Sequence, residues 1–214
     1  MMRLTVAAGA ALLLAGCASF STDGGFDAVA ALTKERTGQS PSIQRSTADS
    51  DTAQSRVVEL LTQPLTAERA IEIALLNNRG LQASFSDLGI AESALVRAGR
   101  LRNPSFSFGR LREGTGVVEI ERSVVFDVLG LLTMPVAREV EQRRFEHAQL
   151  QAAYDAVGLA AEARRAWFSA VAAQELVRYY QQVKEAADAS NELAKRMVQA
   201  GNFNRLTQMR EQAF

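Results

Sequence analysis

Between Val136 and Ala200 the chain has no proline and a single glycine, Gly158, and this run constrains the fold more than any other feature. It predicts one helix over 136–200, with Pro135 in the first turn, where a missing backbone N–H is harmless. At ~1.5 Å per residue such a helix is roughly 100 Å long, too long for any compact domain of this size to enclose. In its second half Leu176, Tyr180, Val183, Ala187, Ser190, Ala194 and Met197 recur at alternating spacings of four and three. That repeat imposes close, nearly parallel packing with left-handed supercoiling. In its first half Val157, Ala161, Phe168 and Val171 form one stripe, widened by Ala160, Ala163, Ala166 and Trp167. Two adjacent stripes suit a helix with a neighbour on each side, as in a cylinder wall, and the alanines let those neighbours approach closely.

Gly201, with Asn202 and Asn204 beside it, stops this helix, and a further helix is expected over 205–214. The last residue, Phe214, falls inside a periodic pattern without a cap or stop, so the chain is expected to continue beyond it. On the other side, Thr66 is an expected N-cap, with Glu68 where the helix dipole favours a negative charge. It opens a helix over 66–99 with a break expected at Asn77-Asn78-Arg79-Gly80. Beyond the break Leu81, Phe85, Leu88, Glu92 and Leu95 follow one face.

Asn103-Pro104 ends that helix, and the period changes from helical to alternating. Strands are expected over 104–112 and 117–128, joined by the turn Glu113-Gly114-Thr115-Gly116. Val118, Ile120, Val124, Phe126 and Val128 share one face, interrupted by Arg122, while Glu119, Glu121, Ser123 and Asp127 share the other. A lone hairpin is marginal in water. Its segments have the length of tilted membrane strands, about 9 to 11 residues, yet the hairpin by itself fits a soluble hairpin on a helical domain better. The fold class is therefore mainly α with a β-hairpin.

The N-terminus reads as a signal peptide over 1–16. Met1-Met2-Arg3 supplies a short basic start, and Leu4 to Leu14 an apolar core too short to span a bilayer as a mature helix. Leu14-Ala15-Gly16-Cys17 resembles the lipobox of bacterial lipoproteins, which implies that Cys17 becomes the lipid-bearing first residue. Cys17 is the only cysteine, so no disulfide forms within the chain. By the same analogy, Ala18 lacks the aspartate associated with inner-membrane retention, which points to the outer membrane. The stretch 17–56, rich in Ser, Thr, Asp, Gln and Gly, reads as a lipidated, extended tether ahead of a domain at 57–214.

Little else in the chain suggests chemistry. His147 is the only histidine, which excludes a His-based metal cluster or a His-assisted nucleophile. Glu139, Glu141 and Glu146 interleave with Arg138, Arg143 and Arg144 as on an exposed helix face. The glycines at 109, 114 and 116 have no P-loop lysine. Lys and Arg total 24 against 24 Asp and Glu, so no net field recruits nucleic acid. No catalytic residue, metal or cofactor is expected, and Trp167 and Phe168 read as packing residues.

Four stretches in order resemble the TolC-type outer-membrane efflux family: Leu65 to Asn78, Ala98 to Pro104, Arg164 to Glu175, and Ala200 to Leu206. Their order, with a hairpin between two long helices, extends the resemblance over most of the chain from Leu65 onward. Arg79-Gly80 departs from the proline and acidic residue frequent there, and only the first of the family's similar halves is present. The resemblance implies a homotrimer whose strands close one barrel in the outer membrane and whose helices continue it as a periplasmic tunnel. It implies a passive conduit for drugs or metal ions, working with a periplasmic adaptor protein and an inner-membrane pump. It further implies that the turn Gly201, Asn202, Phe203, Asn204, Arg205, Leu206 and Thr207 meets the adaptor. Two rivals remain: a periplasmic adaptor subunit, which would carry a lipoyl-like β-domain, and a coiled-coil structural lipoprotein, which would not need the hairpin.

Overall fold

The computed structural model describes residues 19–113, 117–202 and 204–212. The expected signal peptide and Cys17 lie outside these residues, as does Phe203 of the turn. The described elements run α1 (Phe26–Thr37), α2 (Thr47–Leu61), α3 (Ala67–Asn77), α4 (Arg79–Ala98), β1 (Ser105–Glu113), β2 (Val117–Val125), α5 (Val128–Gln199) and α6 (Arg205–Gln212). The protein is thus mainly helical, with one two-stranded antiparallel sheet and one very long helix.

Helix α5 has 72 residues, which at ~1.5 Å per residue makes a rod about 108 Å long. It begins eight residues earlier than expected. Asp127 caps it, its side chain accepting from Gly130 N–H at 2.7 Å, and Pro135 lies within the helix instead of in its first turn. The reason is a conflict of periods. Val124, Phe126 and Val128 continue the strand alternation, which concealed a cap that satisfies the helix start by itself. Pro135 has no N–H for the Leu131 carbonyl, a loss of ~3 kcal/mol in a helix interior.

Helices α1, α3 and α4 pack on one stretch of this rod. The core joins Phe26 and Val29 of α1, Ile71 and Leu75 of α3, and Leu81, Phe85 and Leu88 of α4 to Ala152, Ala153, Ala156 and Ala160 of α5. The long helix contributes little but alanine here, so its partners come close and bring the bulk. Phe26 and Phe85 meet edge to face at 5.0 Å. The seam therefore runs along Ala152, Ala156, Ala160 and Ala163, with Phe145 above it. It does not run along the expected Val157, Ala161, Phe168 and Val171, of which Ala161 and Phe168 are exposed. A stripe chosen for large side chains misses a seam whose large side chains all come from the partner helices.

The break between α3 and α4 falls at Asn78, whose side chain accepts from Leu81 N–H at 2.9 Å and so caps α4. The expected helix over 66–99 is two helices with one shared boundary residue. Thr66 caps α3 as expected, accepting from Arg69 N–H at 3.3 Å.

The extended tether over 17–56 requires correction, because most of its described part is helical and packed. Val29 and Thr33 of α1 are fully buried, and Ala53, Val57 and Leu60 of α2 are buried. A capping box starts α2: Ser46 Oγ accepts from Asp49 N–H at 3.2 Å while Asp49 accepts from Ser46 N–H at 2.9 Å. These bonds hold the Asp49 carboxyl below its usual range, the Ser46 interaction contributing most. Arg56 ties α2 to α3 by donating to Glu72 at 2.8 Å, and within α2 it donates to Glu59 at 2.8 Å. Side-chain amides complete the strapping. Gln44 Nε2 donates to the Leu76 carbonyl at 2.8 Å and Gln149 Nε2 to the Gly25 carbonyl at 3.0 Å.

Candidate functional site

Three features of this architecture are largely exposed among the described residues: the hairpin at one end of α5, the turn at its other end, and the stretch of helix between. The hairpin register pairs Phe106 with Val124, Phe108 with Arg122 and Arg110 with Ile120. Directly opposed residues share a face, so Phe106, Phe108, Ile120 and Val124 lie on one side with Arg110 and Arg122. Ser105, Ser107, Glu119, Glu121 and Ser123 lie on the other, as the alternation predicted. Phe106 is 69% exposed, and apart from Gly109 and Ser123 every hairpin side chain described is exposed. No helix covers either face, and both outer edges lack a strand among the described residues. An open edge beside an apolar face is a template for further strands.

The apolar surface continues past the hairpin onto the first turns of α5, where Phe126, Val128, Leu129 and Leu132 are exposed, Leu132 by 73%. They adjoin a groove whose other wall is the end of α4 and the segment after it. There Arg102 lies 3.6 Å from Asp127, an exposed pair that contributes little. A second groove, on the far side of the same segment, is walled by Phe20.

At the opposite end α5 closes in a Schellman motif. Gly201 takes φ 78°, Gly201 N–H donates to the Val198 carbonyl at 3.0 Å, and Asn202 N–H donates to the Met197 carbonyl at 2.9 Å. Asn204 then caps α6, its Oδ1 accepting from Thr207 N–H at 2.8 Å and Thr207 Oγ1 at 3.0 Å. The structure thus brings Gly201, Asn202, Asn204, Arg205, Leu206 and Thr207 into one tight helix-turn-helix. Leu206 is exposed, and α6 packs back on the last turns of α5, burying Ala194.

Between these ends α5 leaves its bundle near Trp167. From there to Leu193 every side chain described is exposed except the half-buried Trp167, Val171, Ala187 and Asn191. The bare stretch includes Leu176, Tyr180 and Val183 of the expected stripe, Tyr180 being 62% exposed. A solitary helix in water gains little from exposed leucine, valine and tyrosine on one face.

Among the described residues no group of His, Cys, Asp and Glu side chains could hold a metal ion, and no helix is long and apolar enough to cross a membrane. Compared with family models, curated proteins and solved structures, the chain finds no match in any of the three.

Proposed function

We propose that this protein is a lipid-anchored, outer-membrane channel component of a tripartite efflux system, acting as a passive trimeric conduit. One observation carries the reading: a single uninterrupted helix about 108 Å long joins an edge-open, apolar-faced hairpin to a tight helix-turn-helix. In this reading the hairpin strands join those of other repeats in a closed barrel, since strands in lipid cannot leave edges unpaired. The bare stripe of Leu176, Tyr180 and Val183 faces neighbouring helices in a tunnel wall, and the Gly201–Thr207 turn meets a periplasmic adaptor coupled to an inner-membrane pump. Transport energy comes from the pump, and this protein supplies a path. A coiled-coil spacer accounts for the helix but leaves the hairpin without a use.

Two measurements test this. Cells lacking the protein retain an efflux dye such as ethidium several-fold more than wild type, and the native chain restores export where Phe106→Asp with Phe108→Asp does not. A Tyr180→Cys chain treated with a short bismaleimide gives cross-linked species that stop at the trimer. Unchanged dye retention together with a monomer-only pattern sinks the proposal.

A further inference from the structure

We propose that the junction between α4 and β1 docks on an anionic lipid bilayer, with Arg97, Arg100 and Arg102 engaging lipid phosphates. The segment reads Arg97-Ala98-Gly99-Arg100-Leu101-Arg102, with three basic residues and no acidic one in its sequence. These residues wall both grooves described above, one closed by Phe20, Ser93 and Val96, the other by the start of α5. The acids that line the groove at the start of α5 already have partners. Asp127 caps Gly130 N–H and lies near Arg102, and Glu141 pairs with Arg144 at 2.6 Å.

Exposed Phe20 and Leu101 line the groove with the cations, and exposed Phe126, Leu129 and Leu132 neighbour in sequence the residues Asp127, Gly130 and Thr133 that line the other groove. Arginine beside apolar side chains is the composition of an element lying at headgroup depth, and the guanidinium fork matches a phosphate with two parallel bonds. A free phosphate would satisfy the cations but not the apolar collar, so the bilayer is the occupant that fits both.

The course of the N-terminal segment brings the proposed lipid to the same place. Ser21 donates from its N–H at 2.5 Å and from its Oγ at 2.6 Å to Glu92 Oε1, and Glu92 is only 5% exposed. This clasp fixes the chain one residue beyond Phe20. Cys17 is four residues from Ser21, a contour of at most about 14 Å. A lipid on Cys17 therefore enters the bilayer close to the arginines. The inference rests on the membrane part of the proposed function and is independent of conduction.

The test is vesicle flotation of the full chain carrying Cys17→Ser, so that no acyl chain contributes. Pure phosphatidylcholine vesicles are compared with vesicles containing phosphatidylglycerol at about a third of the lipid. The chain floats with the anionic vesicles roughly tenfold better, less so at high salt, and millimolar inorganic phosphate does not release it. Combined Arg97→Gln, Arg100→Gln and Arg102→Gln removes the preference while leaving flotation with phosphatidylcholine unchanged. The three lysine replacements at these positions retain it, which separates loss of charge from loss of fold. Combined Arg165→Gln, Arg178→Gln and Lys184→Gln, the same charge removed from the part of α5 that lines neither groove, also retains it. No anionic preference in the parent chain, an equal loss in the α5 control, or release by phosphate overturns the proposal. Failure of dye export or of trimer cross-linking leaves these flotation results unchanged, so the two readings fail separately.

Discussion

Trp167 Nε1 donates to the Leu65 carbonyl at 2.8 Å, tying the point where α5 leaves its bundle to the residue just before the α3 cap. Phe168 stacks edge-on against the same indole at 4.9 Å. The pair marks the last place at which the long helix is held by this chain's own bundle.

Replacing Trp167 by phenylalanine keeps the ring and removes the bond, and lowers stability by about 1 kcal/mol. Alanine removes the packing as well and has the larger effect. Urea denaturation of the three chains orders them wild type, Trp167→Phe, Trp167→Ala. Equal midpoints for wild type and phenylalanine would show that the bond contributes nothing.

Gly25 and Gly201 both have positive φ, 75° and 78°, but a Cβ at Gly25 would meet Phe145 at 2.3 Å while one at Gly201 meets nothing within 4 Å. Gly201→Ala therefore lowers stability only by the left-handed backbone term, ~1–2 kcal/mol. Gly25→Ala adds a collision with a buried ring, and its loss exceeds that of Gly201→Ala by about 1–3 kcal/mol. Thermal melts of the two variants measure the difference.

The depressed pKa of Asp49 makes the start of α2 acid-sensitive. A carboxyl whose folded pKa lies below its unfolded value contributes stability that is fully present above about pH 4. The contribution is lost as pH falls through the lower folded value. Asp49→Asn removes this dependence, so the midpoint gap between wild type and variant narrows on acidification from about pH 5 to about pH 2.5. A constant gap refutes the capping-box origin.

On the hairpin, Arg122 stands opposite Phe108 on the otherwise apolar face. If that face meets lipid, Arg122→Leu relieves ~2–4 kcal/mol at the bilayer midplane and less near its surface. The variant then resists urea extraction from membranes better than wild type, and weaker retention would show that this face does not meet lipid.

The sequence disclosed the elements that depend on local rules. The part of α5 beyond Pro135 follows from the absence of proline, the hairpin and its faces from the alternation of its side chains, and the α3–α4 break from Asn78. The Gly201 turn follows from glycine beside two asparagines. Features decided by tertiary contact stayed hidden. Helix α1 is apolar at only half of its positions and buries only Phe26, Val29 and Thr33, too few to raise a periodic signal above its serine- and threonine-rich surroundings. For α2 the signal was present, in Ser46 three residues before Asp49, and was outweighed by composition. Glu92 was placed on the right face, but Ser21, the group that makes its burial tolerable, lies far away in sequence. The grouping of the arginines beside the hairpin with Phe20 and the start of α5 exists only once the chain has folded.

The alanine seam that ends near Ala163 acts as the pivot of a lever. From there to Gln199 the rod extends about 54 Å, so a tilt of about 5° at the seam swings the far turn through about 5 Å. A methyl group added at Ala156 or Ala160, far from the turn, would then re-aim it more effectively than most substitutions within the turn itself.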